Sequence, residues 1–407
     1  MSGWLNAPSN AAFINTVPVE LAGTLNINNG NSANDGNPNR CTVFKKLSGS
    51  GTINTTDAAD HVVVVIQDAT EFTGSLGLNS GKYIVFGQTM PDYTTVIKKT
   101  TVGTIFVMSG EKVTNSGFWW ATGGIKVDGE LCAPNHASYF GGGTTITTSD
   151  TGVFTLTNTA NTDDTDTDYS KITGTGTLKF ESAANWRTIS TNNFPTSMTV
   201  QNELGDGLIL KNTGATYTIG SLSGSKKVRT DWGQGDRNLR ILQAKDTTYS
   251  GLFDSAIDRM GTVTVAPGTS TAGTLTLSGT QTANNNLVVE AGAKVNLTGT
   301  WVGATTVNGT ISGTGTVSGA LTLANGSTLA ANTTDPLEVS SLTTTGTVTI
   351  GLADSDIGKD FIRSTGTIDT TGTTFAFTVN GEPTRLSVIK TDGGLKAVLP
   401  GLRIILR

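Results

Sequence analysis

Cysteine is almost absent from this chain: there are two in 407 residues, Cys41 and Cys132, 91 positions apart. That spacing excludes a CxxC redox pair, a zinc knuckle and a dense disulfide framework. It leaves open either one long-range disulfide in an oxidising compartment or two unpaired buried thiols. Charge is scarce too, at 14% of residues against a usual quarter. The net charge of −5 comes without any basic tract, so binding nucleic acid by neutralising phosphates has no support. No apolar run approaches the roughly 18 residues that a membrane-spanning helix needs. The longest, Val62 to Ile66, has the length of a buried strand. No segment keeps a 3.6-residue apolar period over 11 or more positions, so very little helix is expected beyond short turns between Phe253 and Met260. The N-terminus has neither a basic region nor an apolar core of the signal-peptide kind. Its Thr, Asn and Gly richness nevertheless reads as extracellular, so the expectation is a segment of a longer exported protein.

What the chain has in excess is glycine, 51 residues, and still more threonine. Low charge with 36% hydrophobic residues is not the signature of disorder, which needs low hydrophobicity as well. The apolar residues alternate with Thr and Ser, as in Gly261-Thr-Val-Thr-Val265 and Gly273-Thr-Leu-Thr-Leu-Ser278. Period-two alternation places Leu, Val and Ile on one face of a strand and Thr and Ser on the other. Threonine is β-branched and suits a pleated, half-exposed surface.

In the last third a glycine recurs inside similar phrases at 292, 309, 326, 346 and 366, at intervals of 17, 17, 20 and 20. That period is one coil of a solenoid and is too short for a propeller blade or a helical pair. The predicted fold is all-β, a right-handed parallel β-helix. Residues 1–50, rich in turn pairs such as Asn29-Gly30, are expected to form an N-terminal cap. Residues 51–150 read as a less regular start of the solenoid, and 151–407 as its regular repeats. The apolar end from Leu402 to Arg407 reads as an uncapped strand, able to add to another subunit.

Two sets of phrases carry a family resemblance. One is Ile219-Gly-Ser-Leu-Ser-Gly224, then Leu239-Arg-Ile-Leu242, then Thr247-Thr-Tyr-Ser-Gly-Leu-Phe253. The other is Ala272-Gly-Thr-Leu-Thr-Leu-Ser-Gly279. Together they resemble the autotransporter-associated β-strand repeat of secreted and outer-membrane bacterial proteins, over roughly residues 150–380. The resemblance implies a bacterial β-helical passenger at the cell surface or secreted, acting in adhesion, surface structure or display, and not an enzyme. It implies a glycan or a cell-surface protein as partner and supplies no catalytic residues to carry over. The chain departs from a complete autotransporter in having no C-terminal series of roughly 10-residue membrane strands.

The remaining chemistry is sparse. Asn161-Thr-Asp163-Asp164-Thr-Asp166-Thr-Asp168 is the densest acidic cluster. It reads as a solvated loop. The alternative is a calcium site at Asp164, Asp166 and Asp168, since calcium takes six to eight oxygens. The EF-hand pattern fails, because Tyr169 stands where glycine is needed. From Val228 to Arg240, Asp231 and Asp236 accompany Arg229, Arg237 and Arg240 around Trp232. That mixture suits either a charged turn or the uronate-binding and proton-abstracting groups of a polysaccharide lyase. Trp119 and Trp120 are adjacent and on a strand would face opposite sides, one to the core and one outward. Trp119, Trp120 and Trp232 are the candidates for a glycan or protein contact. The rival functions are a self-associating filament or surface-layer subunit and a carbohydrate-active β-helix enzyme.

Overall fold

The computed structural model describes residues 2–5, 13–27, 41–55, 62–78, 82–87, 104–115, 119–134, 143–164, 168–189, 194–211, 214–230, 237–254 and 260–400. The chain divides into two compact units, residues 1–185 and 186–407. Each is a stack of parallel strands, so the protein is a parallel β-solenoid. Among the described residues the helical content is two single 3₁₀ turns, Tyr169–Lys171 and Asp354–Asp356. The helical turns expected between Phe253 and Met260 fall largely on residues outside the described set; Phe253–Asp254 and Met260–Pro267 are strands.

In the first unit one sheet runs through Phe13–Asn15, Cys41–Phe44, Val62–Ile66, Lys82–Phe86, Thr104–Val107, Ile125–Val127, Ile146–Thr148 and Ile172–Gly174. Every pairing in it is parallel. One side of these strands stacks Val64, Ile84, Ile105 and Ile125 in register, all buried. The opposite side stacks Val43, Val65, Val85 and Phe106, and these are buried as well. A strand covered on both faces needs a continuous apolar run, which is why Val62–Ile66 lacks alternation.

The second unit shows the simpler alternating form. Leu275, Val295, Ile311, Leu329, Ile350 and Phe377 form one buried ladder, a residue from each successive strand. Their outward neighbours include Thr276, Asn296 and Ser312, which hydrogen-bond from coil to coil. Fully burying one such aliphatic side chain is worth about 1.5–3 kcal/mol, so each ladder is a large share of its coil's stability.

One member of a parallel ladder breaks the pattern. Leu287, Thr305, Leu321 and Leu342 stack in register. Thr305 is 1% exposed and its hydroxyl has no hydrogen-bond partner. A buried hydroxyl without a partner costs about 1–3 kcal/mol, and valine has nearly the same shape. Thr305→Val is therefore expected to raise stability by about 1 kcal/mol in urea denaturation. A loss of stability would show that the hydroxyl is satisfied in solution.

Within the described part of residues 1–50, strands already belong to parallel sheets. Ser2–Leu5 already pairs in parallel with Thr24–Ile27, which pairs with Thr52–Asn54. The turn pairs of that segment, Asn29-Gly30 among them, lie outside the described residues. At the other end, Glu382–Thr384 folds back antiparallel on Thr374–Val379. Gly394–Val398 runs antiparallel to both Asp360–Ser364 and Ser387–Thr391. The expected open strand at 402–407 lies outside the described residues. The described segment before it adds reversed strands to the parallel stack.

Candidate functional site

The tryptophan pair sits on the strand Trp119–Ala121, in register with Leu76–Leu78. Trp119 is fully buried. Its ring stacks on Phe86 at 5.4 Å between centroids, and its Nε1 donates to the Gly74 carbonyl at 3.1 Å. A ring held this way is a core residue, so Trp119 is withdrawn as a surface contact. The side chain of Trp120 and all of Trp232 lie outside the described residues.

In the acidic segment, Thr162–Asp164 is a short strand. Asp168 caps the 3₁₀ turn that follows, accepting hydrogen bonds from the backbone and hydroxyl of Ser170. Lys171 lies 3.6 Å from the same carboxylate. The Ser170 hydroxyl, above all, holds the Asp168 carboxyl below its usual range. Its oxygens thus serve the local turn. Asp166 and the Asp164 side chain lie outside the described residues. Among the described residues, no three or more His, Cys, Asp or Glu side chains are grouped to hold a metal ion.

The arginines of the lyase-like stretch do not converge. Arg229, on the strand Val228–Thr230, reaches back one coil to Asp206 at 3.2 Å, and Lys227 meets the same carboxylate at 3.1 Å. Arg237 and Arg240 share the strand Arg237–Gln243, three positions apart, and so face opposite sides. Arg237 is buried and donates from Nε and Nη2 to the Lys211 carbonyl, at 3.3 and 3.1 Å. Arg240 points outward into a two-pronged pair with Glu290. Asp231 and Asp236 lie outside the described residues.

Cys132 is a free, buried thiol, so the long-range disulfide is not formed through it. Burial, followed by the Glu130 carboxylate, pushes the thiol up to about 12. Burial also opposes ionisation of Glu130, yet hydrogen bonds from Lys112, Cys132 and Thr155 outweigh it and hold that carboxyl below its usual value. These groups form a satisfied polar patch across neighbouring coils rather than a reactive centre. Asn325 and Asn332 serve local turns. The Asn325 side chain accepts from the Thr347 N–H, and that of Asn332 from the Thr334 and Asp335 N–H groups.

A groove that sequence reading missed lies at one corner of the first unit. Three consecutive coils turn there, at residues 16–18, 45–46 and 67–68. The turns are tied by Lys45 N–H to Asn15 O, Gln67 N–H to Phe44 O, Val19 N–H to Lys46 O and Leu47 N–H to Asp68 O. Thr16, Pro18, Lys45, Lys46, Gln67 and Asp68 line a cavity of about 570 Å³. Lys46 is paired with Glu71 at 2.7 Å. Asp68 accepts from the backbone and hydroxyl of Thr70, and the backbone bond first of all lowers its carboxyl below the usual range. The only hint in the sequence is the doublet Lys45-Lys46 at the end of an apolar strand.

No protein-family model, curated protein or solved structure matches this chain. Among the described residues no helix is long and apolar enough to cross a membrane.

Proposed function

We propose that this chain is a non-catalytic segment of an exported bacterial surface protein, a β-helical passenger that works in adhesion or surface display. The observation that carries the reading is where the family-like phrases fall in the fold. The strands Ser221–Gly224, Thr247–Tyr249 and Thr274–Leu277 are successive rungs of one parallel sheet. The intervening phrase supplies Arg237–Gln243 in the neighbouring sheet. Each phrase thus fills one position of a repeating coil, which is what a passenger built from that repeat requires.

The tyrosine of the third phrase has a specific structural task. The Tyr249 ring is buried, and its hydroxyl contacts Lys226 O, Leu252 O and Val228 N–H at 2.7–3.1 Å. It holds a corner by bonding three backbone groups, so this part of the repeat serves architecture. The outward rows of Thr, Asn and Ser present hydroxyl and amide groups at the surface, several of them already bonded from coil to coil. End-to-end polymerisation receives less support, because the reversed strands at 382–398 replace the parallel rung it would extend.

The test has two parts. Antibody against the folded chain should label intact cells of the source bacterium, and beads coated with the chain should adhere to glycan-bearing surfaces. Label confined to the cell interior would overturn the reading, as would cleavage of polysaccharide by the purified chain.

A further inference from the structure

The groove at residues 16–18, 45–46 and 67–68 is a built concavity that holds unspent polar groups. Its volume of about 570 Å³ lies within the roughly 300–1,000 Å³ range of small-ligand sites. Among the described residues, the Lys45 ammonium, the Gln67 amide and the Thr16 hydroxyl have no hydrogen-bond or ion-pair partner. Beside them the exposed Pro18 supplies an apolar part of the wall. Lys46 is neutralised by Glu71, which leaves Lys45 as the unpaired cation of the lining.

We propose that this groove binds a carboxylate-bearing saccharide, such as a uronic acid unit. Lys45 takes the carboxylate, Gln67 and Thr16 bond the ring hydroxyls, and Pro18 packs against the C–H face of the sugar. The chemistry selects among anions. Asp68 stays ionised in the same wall, so it disfavours a doubly charged phosphate more than a singly charged carboxylate, and its lone pairs accept from sugar hydroxyls. A chain of net charge −5 offers little general attraction to polyanions, so binding depends on this local geometry. The inference deepens the adhesive form of the function proposed above and rests on it for its biological meaning.

The experiment titrates the intact chain with a galacturonate trisaccharide and, separately, with the galactose trisaccharide, by calorimetry at low and high salt. The acidic sugar should bind and the neutral one should bind at least tenfold more weakly. Lys45→Gln should weaken the acidic sugar about tenfold, and Lys45→Arg should retain most of the affinity. Lys294→Gln, an exposed lysine of the second unit, should change nothing. Circular dichroism checks that each variant keeps its β signal. If Lys45→Gln fails to fold, the salt series and the neutral sugar still decide, since a carboxylate–ammonium contact weakens with salt. Equal binding of both sugars, binding insensitive to Lys45→Gln, or no binding of the acidic sugar would each overturn the proposal. Cell-surface labelling and bead adhesion that persist when the acidic sugar does not bind would sink the groove while leaving the adhesin reading intact.

Discussion

Trp301→Ala is expected to destabilise the second unit by about 3–5 kcal/mol, the range for removing a large buried aromatic. Trp301 is 1% exposed and stands on the short strand Thr300–Trp301. Its ring lies 5.7 Å from Phe253, which in turn lies 4.9 Å from Tyr249, so three aromatic side chains link neighbouring coils. Its Nε1 also donates to the Asn285 carbonyl at 2.9 Å. The substitution removes the ring volume, the aromatic contact and that hydrogen bond together. In a solenoid each coil packs on its neighbours, so the damage should stay local before it spreads. Urea denaturation followed by circular dichroism gives the magnitude. Hydrogen exchange should rise first in the strands Phe253–Asp254, Asn286–Val289 and Thr316–Leu323. A cost below about 1 kcal/mol would mean that the coil closes over the gap. Trp301→Phe, which keeps most of the ring, should cost clearly less.

Gly313→Ala should be comparably damaging, for a different reason. Gly313 has φ of +118°, a conformation that side chains rarely adopt. A β-carbon there would also overlap the backbone carbonyl of Leu297 in the preceding coil. Backbone cannot swing aside as a side chain can, so the coils must separate or the corner must refold. A cost on the order of 3 kcal/mol or more is expected, from strain and lost inter-coil hydrogen bonds together. Gly326→Ala is the matched control. Gly326 also has positive φ, +83°, but a β-carbon there meets nothing within 4 Å. It should cost only the strain, about 1–2 kcal/mol. Thermal melts of the two variants separate close approach from conformational strain. Equal losses would show that the contact with Leu297 is unimportant.

The recurring glycines were legible because a corner imposes local demands. Gly292, Gly326 and Gly346 all have positive φ. Gly309 and Gly366 have ordinary φ but press against backbone oxygens of the preceding coil. Both demands are met by glycine alone, so the period of the coil is written in the chain. Alternation of apolar and polar residues was equally legible in strands such as Thr274–Leu277, where the inward and outward faces differ.

The candidate chemistry was far less legible. The acidic run around Asp168 read as a solvated loop with a calcium site as the alternative, but its carboxylate caps the next turn, a use that depends on the backbone path through Ser170. Three arginines close in sequence suited either a charged turn or one basic site. Strand pleat and register send Arg237 inward to Lys211, Arg240 outward to Glu290, and Arg229 to Asp206.

The sequence by itself determined that this protein is an all-β solenoid with glycine corners, apolar ladders and polar Thr and Asn rows. Those properties follow from strand period, β-branched propensity and the φ that corners require, all of which act within a few residues. Only the tertiary structure decided that Trp119 is core, that strands 382–398 run reversed, and that Thr16, Lys45 and Gln67 share one groove. Those outcomes depend on which residues 20 to 30 positions apart come into register, a matter set by coil length and corner shape. No short phrase of the chain records them.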